Sequence, residues 1–157
     1  MSPSAGDIGV LSDTHGLLRP EVRDRLRGCA RILHAGDIGG PAVLAELRAS
    51  AEVVAVRGNV DTGPWAAELK AEEYVELDGR RTCLVHDLHS LSLDPAAAGF
   101  DVVIHGHSHR PTVEWKDGIL YLNPGSAGPK RFHLPVSMAV LSLDDEAIVP
   151  EIIALPV

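Results

Sequence analysis

A chain of 157 residues and 16.7 kDa is the size of one domain, and a single domain over residues 1–157 is the expectation. Its 45% hydrophobic and 23% charged residues exclude disorder, collagen and coiled coil as overall descriptions. A net charge of −8 argues against a protein built to coat nucleic acid or an anionic membrane, so no stable nucleic-acid complex and no membrane partner are expected.

From the N-terminus, apolar runs bounded by Gly, Pro, Asp and Asn alternate with helical signals. Ile8 to Leu11 reads as a buried strand, Pro20 to Arg27 as a helix opened by proline, and Ile32 to Ala35 as a second strand. Pro41 to Ala49 reads as another proline-led helix and Val53 to Val56 as a third strand. Strand, helix, strand, helix implies parallel pairing and α/β layering. The glutamate-rich piece Glu68 to Glu76 reads as a solvated face. Further strands are expected at Thr82 to Val85, Val102 to His105, Leu120 to Leu122, Ser137 to Leu143 and Ile148 to Ala154, with a short helix from Asp94-Pro95 to Gly99. Asp78-Gly79 and Asp117-Gly118 each separate strand-like segments, the strongest short hairpin signal, so a mixed sheet or two packed sheets should follow. Cys29 and Cys83 are too few for a disulfide framework and fit a reducing cytoplasm. Neither an export signal nor a run of about 18 apolar residues is visible.

The unusual feature is histidine. Five of the eight, His86, His89, His105, His107 and His109, fall within 24 residues. Residues able to bind a metal stand just beyond strand ends: Asp13 and His15 after Leu11, Asp37 after Ala35, Asn59 after Val56, His86 after Val85, and His107 and His109 after Ile104. Ligands of open α/β sheets collect at the carboxyl ends of strands, where loops converge on a rigid frame. Gly36, Gly58 and Gly106 directly precede Asp37, Asn59 and His107, where a missing side chain permits close backbone approach. Seven oxygen and nitrogen donors exceed the needs of one tetrahedral ion. Two ions sharing a carboxylate would use them, and the mixed donor set suits Mn, Fe, Zn or Co better than Ca.

Asp13-Thr14-His15, Gly36-Asp37, Gly58-Asn59-Val60-Asp61, His86 and Gly106-His107-Ser108-His109 stand in the order D-x-H, GD, GN, H and G-H-x-H. Over residues 7 to 126 the chain resembles the calcineurin-like metallophosphoesterases. Its compact size and Asn123-Pro124-Gly125-Ser126 are similar to their small bacterial and archaeal phosphodiesterase branch. Single fragments such as GD arise by chance, but five in order at strand ends are specific. The resemblance implies an α/β fold, a four-layer α/β/β/α sandwich of two mixed sheets flanked by helices. It also implies a first ion held by Asp13, His15, Asp37 and His109 and a second by Asp37, Asn59, His86 and His107. Asp37 would bridge, and Asp37, Asn59 and His107 would carry the catalytic contacts. The implied cofactors are two divalent transition-metal ions, manganese first, with zinc, iron, cobalt or nickel as alternatives. The implied activity is hydrolysis of a small phosphoester, a diester above all, by metal-activated water. A homo-oligomer is compatible with all of this. The Asn123 to Ser126 segment would form a structural turn near the site.

Two positions depart from the pattern. Many members of the wider family place histidine after the Gly-Asn pair as a proton donor, whereas this chain has Val60. The small branch often writes His-Gly-His at the fourth motif, but here the run is His86-Asp87-Leu88-His89, which makes His86 the expected ligand and His89 the alternative. His34 and His105, flanked by apolar residues, read as core or supporting histidines, and His89 and His133 as surface residues. Lys130 and Arg131 could contact a phosphate or simply be solvated. Two competing functions stay open: a non-catalytic scaffold similar to a eukaryotic retromer subunit, and a closed structural metal site.

Overall fold

The computed structural model describes residues 6–131 and 133–157. In chain order the elements are β1 (Ile8–Leu11), α1 (Pro20–Leu26), β2 (Arg31–His34), α2 (Pro41–Ser50), β3 (Glu52–Ala55), β4 (Glu72–Leu77), β5 (Arg80–Val85), β6 (Val102–Ile104), β7 (Thr112–Lys116), β8 (Ile119–Asn123), β9 (Ser137–Leu143) and β10 (Ile148–Ala154). They form two mixed five-stranded sheets, ordered β10-β9-β1-β2-β3 and β4-β5-β6-β8-β7. β1, β2 and β3 are mutually parallel, as are β5, β6 and β8, while β4, β7, β9 and β10 pair antiparallel.

Alternation along each strand divides the apolar residues between two faces. Ile8 and Val10 of β1 and Leu33 of β2 turn inward to meet Leu84, Ile104, Leu120 and Leu122 of the other sheet, making the core between the sheets. Leu11 and Ile32 turn outward and are covered by Val22 and Leu26 of α1 and by Val43, Leu44 and Leu47 of α2. Both helices begin on proline, whose fixed φ suits a first turn. The outer face of the second sheet, at Cys83, Val103 and Ile119, is covered by Leu88, Leu91, Leu93 and Ala98. The expected layered sandwich of two mixed sheets is therefore present.

Three details differ from expectation. The segment from Asp94 to Gly99 is a hydrogen-bonded turn, with Ala98 N–H on Asp94 O and Phe100 N–H on Pro95 O, because so few residues cannot propagate a helix beyond its costly first turn. The glutamate-rich piece contains edge strand β4, whose charges face solvent while its backbone pairs with β5. β7, with Val113, Glu114, Trp115 and Lys116 all exposed, is the second edge strand of that sheet. The two Asp-Gly pairs turn the β4–β5 and β7–β8 hairpins, with φ of 46° and 81° at Asp78 and Gly79 and 53° and 77° at Asp117 and Gly118.

The parallel strands of both sheets end on one rim, and the loops there are tied to one another within each sheet and, from His107 to Asp13, between the sheets. Gly106 N–H donates to His86 O, Asp13 N–H to Gly36 O, and His107 N–H to the Asp13 carboxylate. Among the described residues no helix is long and apolar enough to cross a membrane.

Candidate metal centre

Asp13 lies two residues past β1 and is fully buried. Its Oδ2 accepts from the Ser12 hydroxyl and from His107 N–H (3.1 Å), whereas Oδ1 is buried without a hydrogen-bond partner among the described residues. Asp37, past β2, uses Oδ1 to accept from Val60 N–H (3.0 Å) and turns Oδ2 toward His86 Nε2 at 3.1 Å and His15 Nε2 at 3.7 Å. Around Asp13 Oδ1 stand His109 Nε2 at 3.4 Å, His15 Nε2 at 3.7 Å and His86 Nε2 at 4.0 Å. Two groups result, Asp13, His15 and His109, and Asp13, Asp37 and His86, each with donor atoms close enough to share one ion.

The orientation of His86 tests whether a cation fits. Its Nδ1 lies 2.8 Å from Ala35 O, and a carbonyl can only accept, so Nδ1 carries the proton. The Nε2 lone pair then points at carboxylate oxygens of Asp37 and Asp13, a repulsive arrangement unless a proton or a cation lies between. Burial disfavours a charged His86, but Asp37, Asp13 and the Ala35 carbonyl outweigh it and raise the pKa. Burial also pushes the Asp37 carboxyl up, yet His86, the Val60 amide and His15 together bring it down to about 2. His109 is lowered by burial ahead of the opposing pull of Asp13. The buried, unpartnered atoms Asp13 Oδ1, His15 Nε2, His86 Nε2 and His109 Nδ1 complete the signature of donors arranged for an ion.

Backbone conformation concentrates at the same residues. Outside the hairpin turns, the described non-glycine residues with positive φ are Asp13 (56°), His15 (47°), Asp37 (55°), His107 (74°) and His109 (63°). Such conformations are sparsely populated and persist where surrounding structure imposes them. The loops also approach closely at these residues: a Cβ at Gly58 would run into Asp37 N and Oδ1, and one at Gly106 into Ser12 Oγ and Asp13 Oδ2.

Of the seven expected ligands, Asp13, His15, Asp37, His86 and His109 are thus drawn together. The His107 ring is exposed and meets His86 edge-on, with ring centres 5.2 Å apart. Asn59 stands on the exposed rim beside Gly58. His89 is 95% exposed and faces Asp87, so His86 is the fourth-motif histidine that reaches Asp37.

A family model described as the calcineurin-like phosphoesterase superfamily domain matches residues 7–146. The chain belongs to this superfamily. It is 37% identical over 158 residues to a probable metallophosphoesterase of Methanothermobacter thermautotrophicus, covering 93% of this chain and 91% of that protein. It is 30% identical over 137 residues to a phosphodiesterase of Methanocaldococcus jannaschii, covering 75% of this chain and 82% of that protein. Among solved structures, Vps29 of Entamoeba histolytica complexed with zinc has a TM-score of 0.72 at 24% identity, covering 94% of this chain and 98% of that one, a likeness of fold.

In this calcineurin-like chain two further residues hold the ligand loops, and sequence reasoning gave neither a role. Buried Asp61 accepts three backbone N–H groups: Ile38 (3.1 Å) and Gly39 (2.9 Å) after β2, and Gly58 (2.9 Å) after β3. An aspartate shortly after a Gly-Asn turn was the available signal, since glycine-rich loops expose amides that need an acceptor. Ser12 orients Asp13. Asn123 donates to Gly106 O (3.2 Å) and Ser108 Oγ (3.1 Å), and Ser126 Oγ donates to Asp13 O (3.0 Å), so the Asn-Pro-Gly-Ser turn braces the rim.

Proposed function

We propose that this protein is a dinuclear, metal-dependent phosphodiesterase. The observation that carries the reading is the convergence of His15, His86 and His109 on the Asp13 and Asp37 carboxylates, with Asp13 Oδ1, His15 Nε2 and His86 Nε2 buried without partners among the described residues, in a superfamily whose members act on phosphoesters. Asp13, His15, Asp37 and His109 would hold one ion, and Asp37, Asn59, His86 and His107 the other, with Asp37 between them. Two bound cations lower the pKa of water, orient phosphoryl oxygens and neutralise the charge that develops during in-line displacement. The chain's own residues fix the geometry. Ser12 and the His107 amide occupy Asp13 Oδ2 and leave Oδ1 for the centre, the Val60 amide does the same for Asp37, and Ala35 O sets the His86 tautomer. Asn59 and His107, exposed at the rim, would be open to a substrate phosphate. We take manganese as the native metal and a reducing cytoplasm as the compartment, the latter consistent with two buried, free cysteines.

The test is metal content together with hydrolysis of paired mono- and diesters by metal-stripped protein reconstituted with Mn, Zn, Fe, Co, Ni or Mg. Two ions per chain and chelator-sensitive diester hydrolysis are expected. At most one ion at saturation would end the dinuclear reading. A scaffold role on the same fold is consistent with the Vps29 likeness, but the five donors gathered at the rim favour the enzyme.

A further inference from the structure

Beside the candidate metal centre the loop after β3 and the short 3-10 turn at Pro64–Ala66 border an open cleft of about 310 Å³. Its walls include Arg57, Asn59, Thr62, Gly63, Ala66 and Ala67. Gly58, also in the wall, packs directly on Asp37, so the cleft opens within one residue of the central carboxylate. Its volume is at the low end for a ligand site, room for one ester arm and no polymer. The cleft is open to solvent, and its lining mixes apolar alanines with the polar side chains of Asn59 and Thr62.

Charge gives the cleft a preference. In a chain of net charge −8, Arg23, Arg27 and Arg31 pair with Glu46, Asp24 and Glu52, but Arg57 has no carboxylate partner among the described residues. Its backbone is pinned by the bond from its N–H to Lys70 O (2.8 Å), which holds the residue at the cleft mouth. The anion in the wall, Asp61, is buried and spends its oxygens on three amides. Arg57 is thus an exposed cationic residue of the cleft wall with no carboxylate partner among the described residues.

We infer that the cleft is a subsite for one ester arm of the diester and that Arg57 selects arms carrying a second negative charge, a phosphate or carboxylate. The inference rests on the phosphodiesterase reading above. Its test uses two 4-nitrophenyl phosphodiesters with the same leaving group, whose second arm ends either in a carboxylate or in the isosteric carboxamide. With saturating metal at low ionic strength, the ratio of kcat/KM, carboxylate over carboxamide, should be about fivefold, the upper range for an exposed ion pair. Arg57→Gln should bring the ratio to about one, Arg57→Lys should keep part of it, and about 0.5 M salt should collapse it. Arg25→Gln removes the same charge from α1 and should leave the ratio unchanged, which separates local contact from overall charge. Unaltered metal content in Arg57→Gln would show that the loss is one of substrate selection. A wild-type ratio of one, or a ratio that survives Arg57→Gln, would overturn the subsite. If reconstituted wild type hydrolyses neither ester, the phosphodiesterase reading itself falls and the subsite falls with it.

Discussion

Burial by itself raises a carboxyl pKa, so the low value at Asp37, about 2, measures how strongly its neighbours favour the charged form. A carboxylate held ionised between His86 and His15 is suited to bridge two cations. Asp37→Asn keeps the shape and removes the charge. It should reduce bound metal to at most one ion per chain and lower kcat/KM by more than about 100-fold, beyond the 10- to 100-fold typical of outer-shell changes. Metal analysis with wild-type stoichiometry would show that the bridge lies elsewhere. Val60 bears on the other half of the reaction. Its amide holds Asp37, but its apolar side chain, 48% exposed, offers no proton to a departing oxygen. General acid catalysis contributes roughly 10² to 10⁴ in rate, mostly for poor leaving groups. Aryl diesters should therefore be good substrates and alkyl diesters poor ones, and Val60→His should improve the poor ones selectively. A flat dependence of kcat/KM on leaving-group pKa, with chemistry rate-limiting, would mean that another group donates the proton.

At the scale of elements, the centre is held by loops, and Asp61 ties the loop after β2 to the loop after β3. Asp61→Asn replaces one acceptor oxygen by a donor facing N–H groups, leaving buried amides unsatisfied at about 1 to 3 kcal/mol each. Metal affinity should fall 10- to 100-fold in titration calorimetry while the strand signal in circular dichroism stays intact. Unchanged affinity would make Asp61 merely structural. Which elements were legible follows from where their stability comes from. β1, β9 and β10 have the bounds expected from their apolar runs, and both hairpins follow from Asp-Gly pairs that tolerate positive φ. β4 and β7 were harder to read because edge strands are specified by backbone pairing with β5 and β8, while their side chains look like solvated surface. Motif order placed the candidate ligands at one rim. The choice of His86 over His89, the role of Asp61 and the cleft at Arg57 depend on which loops meet in space, which spacing along the chain does not encode.

At the scale of the whole molecule, one buried histidine couples the site to the core. His34, fully buried at the end of β2, accepts Gly36 N–H at Nδ1 (3.1 Å) and lies 3.0 Å from Thr14 Oγ1 through Nε2. Thr14 donates its own proton to Ile38 O (2.9 Å), so its oxygen must accept from His34, and the ring is the neutral Nε2–H tautomer. A second proton would enter at Nδ1, against a backbone donor. Burial, the largest cause, pushes the pKa down to about 4 from an ordinary 6.5. The unfolded chain therefore takes up the proton first, and the stability tied to neutral His34 is complete above pH 6.5 and lost as the pH falls toward 4. The loss over that span is on the order of 3 kcal/mol. His105, also pushed down to about 4 by burial, acts with the same sign. His86 acts oppositely, because a raised pKa gives stability present below 6.5 and lost as the pH rises. A difference measurement isolates His34: urea midpoints of metal-stripped wild type and His34→Gln at about pH 7.5 and about pH 4.5. Gln accepts and donates without titrating, so the variant should lose less stability on acidification than wild type, by about 2 to 3 kcal/mol. Equal acid sensitivity in the two proteins would show that His34 takes up its second proton in the fold as readily as in the unfolded chain, and the bond from Gly36 N–H to Nδ1 would then have to be broken.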